Sequence, residues 1–385
     1  MKKSGRIFLV ILILGMLFCL TAAAQNADDT SSASLDSIIS EQQKQSGAGG
    51  LPGKVPDSAK SALNKAGIKS GDQKTLSRFT PANIFGTLVD NIKNAAKAPL
   101  KAIAAIVGIL LACALLETLK NSFAESSMRN VFNVVTALCV ASVILVPITT
   151  CISDCAQTIK QSSDFMTAFL PVYSALITAS GHPASAVATQ SLLLISSELL
   201  SQIVSTTFIP MLDIYLGFCV VGAVSPSINI SGIAGFIKSA VSWALGLCLT
   251  IYSGILTVQG IIASAADNVT MKTAKFVVDG AIPVIGGAIS DAMNTVISCA
   301  GLLKTSVGAY AIVVFIFAFL PPILECVMWL LAADISIAAA EILGVSNMQG
   351  MLKAIKEALK LIIAFVIASA LALIISVSVM LLLGK

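Results

Sequence analysis

Charge is what this 385-residue chain has least of. Only 11% of its residues are Asp, Glu, Lys or Arg, against about 25% in soluble proteins. Between Lys160 and Lys238 there is no Lys or Arg at all. A soluble domain rarely leaves so long a surface without a cation. Histidine is nearly missing as well, with His182 the single copy, in the turn-like sequence Ser180-Gly181-His182-Pro183. That excludes H-E-x-x-H zinc chemistry and leaves a serine-protease triad without a buried base. No G-x-x-x-x-G-K-[ST] loop is present: Gly53-Lys54 is preceded by Pro52 and followed by Val55, so the chain carries no phosphate cradle for ATP. No aspartate stands in a G-x-G-D context, which removes an intramembrane aspartyl protease. The net charge of +4, with no basic run, gives nucleic acid nothing to hold. These absences point to a protein that is not an enzyme and carries no cofactor.

What is present instead is hydrocarbon. Hydrophobic residues make up 56% of the chain, and the stretches Ala240 to Ala266 and Leu361 to Leu383 are uncharged. A helix in a soluble core shows a polar stripe on each turn, whereas a membrane helix shows none over roughly 20 residues. The pattern predicts an all-α, polytopic transmembrane bundle. Spans are read at 102–119, 131–149, 184–208, 209–224, 239–265, 306–321, 323–343 and 361–383, with a seven-span variant in which the Pro321-Pro322 region is one kinked helix. Phe165 to Ser180, interrupted by Pro171, is read as interfacial or as a further span. Ahead of the bundle, Lys2, Lys3 and Arg6, then Ile7 to Leu20, then Ala22-Ala23-Ala24 form the three regions of a cleavable signal peptide over residues 1–24. Residues 25–83 are polar and read as an exported, partly disordered segment, a tether or a docking element. Residues 84–101 read as an amphipathic interfacial helix, and 102–385 as the membrane domain.

Cation placement sets orientation. With the mature N-terminus outside, Lys120, Arg129, Lys272, Lys275, Lys304, Lys353, Lys356 and Lys360 fall on the cytoplasmic side, and Lys160, Lys238 and Lys385 on the outer side. Met351 to Lys360 reads as a cytoplasmic interfacial helix with Leu352, Ile355 and Leu359 on its apolar face.

Nine cysteines are present, and Cys113, Cys139, Cys219, Cys248, Cys299 and Cys326 lie in apolar runs where they pack as small hydrophobes. Cys151 and Cys155, at i, i+4, sit near a membrane face; helical geometry is poor for a bridge between them, and no metal site is expected. Acids inside apolar runs are costly and are the candidate sites: Glu198, Asp213, Asp279 and Asp291, followed by Glu325, Asp334 and Glu341. Each either lines a hydrated path or coupling site, or fixes helix packing by hydrogen bonds. Asp279 and Asp291 bracket Gly280, Pro283, Gly286 and Gly287, a composition suited to a broken or re-entrant element that gates a path. On an unbroken helix the two aspartates would stand about 18 Å apart along the axis, so they share a site only if this element folds back.

Three stretches carry a family resemblance. Lys275-Phe276 followed by Ile282-Pro283-Val284-Ile285-Gly286, then Ser298 to Gly308 with Lys304 inside it, then the upstream Pro171-Val172-Tyr173-Ser174-Ala175-Leu176, resemble in order the pattern of the stage III sporulation protein AE family. The resemblance covers roughly residues 80–385. It implies a multi-pass protein of the mother-cell membrane surrounding the forespore. Its partners would be the other stage III A proteins and stage II sporulation protein Q, in a secretion-like channel complex that supports endospore development. A separate subunit would supply the ATPase. The alternatives are a self-contained ion-coupled permease, which the absence of a clear internal repeat disfavours, and a membrane scaffold with no transport path.

Overall fold

A computed structural model describes residues 33–66, 96–112, 114–115, 126–224, 232, 235–255, 286–344 and 346–382. The signal peptide, most of the 84–101 helix, and Asp279, Gly280 and Pro283 lie outside the described residues. Every regular element among the described residues is helical. In order they are α1 (Ala33–Ser46), a 3₁₀ segment (Ala48–Lys54), α2 (Asp57–Ala66), α3 (96–112), α4 (Ser126–Ala179), α5 (Pro183–Ile203), a π-helical turn (Val204–Phe208), α6 (Ile209–Val224), α7 (235–255), α8 (Gly286–Ile342) and α9 (Ser346–Leu382). Among the described residues, five stretches are long and apolar enough to cross a membrane: Ala137–Ala179, Pro183–Gly222, Gly235–Ile255, Thr295–Ile342 and Met348–Leu382.

Four prolines lie inside continuous helices among the described residues. Pro147 and Pro171 are interior to α4, and Pro321 and Pro322 to α8, so the one-helix variant of the Pro321-Pro322 region is the one observed. The expected break between Phe208 and Ile209 is also absent. Pro210 lacks an N–H, and its ring collides with the carbonyl four residues back. The chain absorbs this by widening one turn: the Ile209 N–H bonds to the Val204 carbonyl, and α5 runs through the π turn into α6. In hydrocarbon a broken helix strands several backbone groups, whereas a widened or kinked one strands few, so continuity wins.

Two tight hairpins stand among the described residues. Gly181, at φ 90°, reverses the chain between α4 and α5, with Pro183 opening the new helix where its missing N–H costs nothing. Gly344, at φ 73°, does the same between α8 and α9. α4 packs on both hairpin partners. Phe165, Phe169 and Tyr173, spaced one turn apart and fully buried, form a ladder against Phe315 of α8, with the Phe165 and Phe315 rings edge to face at 5.5 Å. Ser163 and Ser174 of α4 donate across to the carbonyls of Ser197 and Ala186 on α5, both at 3.2 Å. α9 receives the π turn, α6 and α7: Phe365 stacks on Phe208 at 4.7 Å, Tyr215 donates to the Ala354 carbonyl, and the Tyr252 hydroxyl meets Ser376.

These contacts fix which residues share an end of the bundle. Gln42 of α1 donates to the Val296 carbonyl, and Gln161 exchanges two hydrogen bonds with Asp57 at the start of α2. Ala48, Leu51, Val55, Ala59 and Leu63 bury themselves beneath these bonds. The N-terminal segment, the α4–α5 turn and the end of α9 therefore share one half of the molecule. Lys238, Lys353, Lys356 and Lys360 share the other. Lys238 was expected on the side opposite Lys353–Lys360, but it pairs with Glu357 at 2.5 Å. Lys304 was expected beside that cluster; it is buried in the half that holds the N-terminal segment. Reading two continuous helices as four spans inverts the side of whatever follows the extra break. Met351–Lys360 is likewise the first part of α9 rather than a separate surface helix, with Leu352, Ile355 and Leu359 fully buried against the bundle.

Candidate functional site

The intramembrane acids separate into paired and unpaired. On α8, Asp334 pairs with Lys356 and Glu341 with Lys353 at 3.4 Å, so both tie α8 to the first turns of α9. Glu357 is held between Lys238 and Lys360. These acids serve packing. Glu198 and Asp213 are both exposed and make no ion pair among the described residues. They share one continuous helical run and stand about 22 Å apart along it, so they do not form one site. Gly286 and Gly287 open α8, and Asp291 follows in its second turn.

Asp213 occupies the more distinctive setting. It lies just beyond the π turn, in a groove of about 430 Å³ between α4 and α6, lined by Leu145, Thr149, Ile152, Ser153, Leu216 and Gly217 among others. A carboxylate in apolar surroundings gains from any donor or cation brought to it, because little water competes there. Thr149 does not supply that donor, since its hydroxyl is turned back onto the Leu145 and Val146 carbonyls. The groove can hold an incoming polar group or a partner helix.

A second constellation was not legible in the sequence. Cys326 of α8, read there as a packing residue, sits against Cys151 and Cys155 of α4 with sulfur separations of 3.2 and 3.5 Å, and all three are buried. The i, i+4 spacing of the first two was visible. The third depends on the antiparallel register of α4 and α8, which no local pattern encodes.

The resembling stretches also meet in space. Gly308, the last residue of the Ser298–Gly308 stretch, lies against Tyr173 of the Pro171–Leu176 stretch.

Long apolar helices in antiparallel hairpins, several of their acids paired and Asp213 facing a groove, are the architecture of a multi-pass helical membrane protein. The family model for stage III sporulation protein AE matches residues 60–384, and the chain belongs to that family of sporulation proteins. A curated relative, stage III sporulation protein AE of Bacillus subtilis (strain 168), is 25% identical over 264 residues, which are 69% of this chain and 65% of the relative. The chain thus matches just under two thirds of the relative's length. No solved structure matches the chain.

Proposed function

We propose that this chain is a non-enzymatic membrane subunit of the mother-cell-to-forespore channel complex, acting in the membrane around the forespore with the other stage III A proteins and stage II sporulation protein Q. The observation that carries this reading is the family match over residues 60–384. The architecture supports it in a specific way. α4 has 54 residues and α8 has 57, so each rises roughly 80 Å, more than twice the hydrocarbon thickness of about 30 Å. The lysine-rich end fits the cytoplasmic face by the bias of cations. The opposite half, carrying the docked residues 33–66, then stands between the two membranes, where soluble components of a channel would meet it. The Asp213 groove and the Gly280–Asp291 element serve in this reading as the path or its gate. A separate subunit supplies ATP hydrolysis.

The test is cross-linking and affinity purification from sporulating cells, fractionated over time. Recovery of the other stage III A proteins with this chain in the forespore-surrounding membrane is the expected result. Recovery of the chain alone, in vegetative cells as well, would overturn the reading. Asp213→Asn, Asp279→Asn and Asp291→Asn should impair forespore development while leaving co-purification intact. If they remove the protein from the membrane, the acids hold the fold rather than a path. Solute movement by the purified chain alone in liposomes would favour a permease.

A further inference from the structure

We propose that Cys151, Cys155 and Cys326 form a three-sulfur site for a single soft metal ion that clips α4 to α8. The three Sγ atoms lie within 4.8 Å of one another, and Cys326 approaches Cys151 to 3.2 Å and Cys155 to 3.5 Å. A metal bound at about 2.3 Å to three sulfurs in a plane sets them about 4.0 Å apart. The two Cys326 separations fall about 0.5–0.8 Å short of that value and all three sulfurs stay within 4.8 Å, so the ion enters by side-chain adjustment of under about an ångström rather than by helix movement. The ligands come from two rigid elements. Two stand on successive turns of α4, and one on α8, four residues beyond Pro322.

The donor set selects the ion. Three thiols, with no imidazole or carboxylate among the residues brought together, suit thiophilic d10 ions such as zinc(II) and copper(I), and exclude magnesium and calcium, which take oxygen. Coordination number favours copper(I), which accepts three sulfurs. Charge favours zinc(II), because three thiolates leave it one net negative charge in a buried site and leave copper(I) two. Zinc would take its fourth ligand from solvent. Asp154 gives the open side of the cluster: it is exposed on α4 between the two cysteines and within charge–charge reach of Cys151, as is half-buried Glu325. These two carboxylates mark an entry route that draws cations toward the sulfurs. Tight helix packing alone calls for small residues at a crossing, and one cysteine would meet that need; three sulfurs converging on one point from two helices exceed it.

The test uses the full chain purified under reducing conditions in detergent micelles and titrated separately with zinc(II) and copper(I), each against a chromophoric chelator. One equivalent of one ion should bind and raise the thermal midpoint. X-ray absorption at that metal's edge should show three sulfur neighbours near 2.3 Å. Cys326→Ser and Cys155→Ser should each weaken binding at least tenfold, while Cys219→Ser and Cys248→Ser leave it unchanged. Circular dichroism checks that each variant remains helical. Absence of stoichiometric binding by either ion would overturn the proposal. So would binding that survives Cys326→Ser, or mass-spectrometric detection in the protein from cells of Cys326 bridged to Cys151 or Cys155.

Discussion

Gly308 offers the sharpest test of the packing. A β-carbon placed on it would stand 2.9 Å from Cγ of Leu381, 3.0 Å from the Tyr173 hydroxyl and 3.1 Å from its ring. Contacts under about 3.4 Å require a neighbour to move. Tyr173 has little freedom to do so: it is fully buried and stacked on Phe169 at 5.0 Å. Overpacking of this kind costs about 1–3 kcal/mol. Against it, alanine gains up to about 1 kcal/mol over glycine in a helix. Gly308→Ala should therefore lose about 1–2 kcal/mol, roughly a five- to thirtyfold fall in the folded-to-unfolded ratio. The assay is unfolding in mixed micelles with rising SDS, followed by the fluorescence of buried Trp329. Leu381→Ala should recover part of the loss in Gly308→Ala beyond its own effect, because the two side chains then share the space. A Gly308→Ala protein as stable as the parent, or more stable, would refute the α4–α8–α9 contact.

Other expectations follow from the same contacts. Asp57 is held below its ordinary pKa of 3.8 by its hydrogen bond and charge contact with Lys60 and by its bond from Gln161. Its contribution to holding α2 on α4 is thus fully present above that value and is lost as pH falls through the lower folded value; hydrogen exchange across 57–66 should quicken only there. Asp334→Asn combined with Lys356→Met should show a coupling of no more than about 1 kcal/mol, weakened by salt, since both side chains retain solvent contact. Leu51→Asp, which sets a charge at a 2% exposed position, should release residues 33–66 to proteolysis while the spans stay inserted. Tyr252→Phe should destabilise by about 1 kcal/mol through loss of its bond to Ser376.

The helical class and the spanning runs were legible because hydrocarbon leaves a one-dimensional mark: charge is absent over a length set by the bilayer. Helix ends were less legible. Pro171 and Pro321-Pro322 read as interruptions because proline breaks helices in water, where freed carbonyls find solvent. Hydrocarbon offers no such outlet, and the helices continue through them, as the α5–α6 run does through Pro210. That error propagated to sidedness, which explains why Lys238 and Lys304 lie at ends opposite to those expected. The acids divided only in three dimensions. Nothing local distinguishes Asp334, paired with Lys356 across a hairpin, from Asp213, which faces a groove. Cys326 belongs to the same class of long-range fact.

Residues 33–66 pose a physical question that their composition sharpens. They are too polar to bury a core alone, and yet Ala48, Leu51, Val55, Ala59 and Leu63 are almost wholly buried. The apolar surface they cover belongs to α4 and α8, on the half of those helices that also holds the α4–α5 turn. An apolar helix that leaves hydrocarbon needs a cover, because each uncovered large side chain costs about 1.5–3 kcal/mol in water. The segment supplies that cover and in turn gains the template on which it folds. Its order thus depends on the helices it covers. Removing the segment would expose an apolar strip along α4 and α8, at about that cost for each large side chain uncovered.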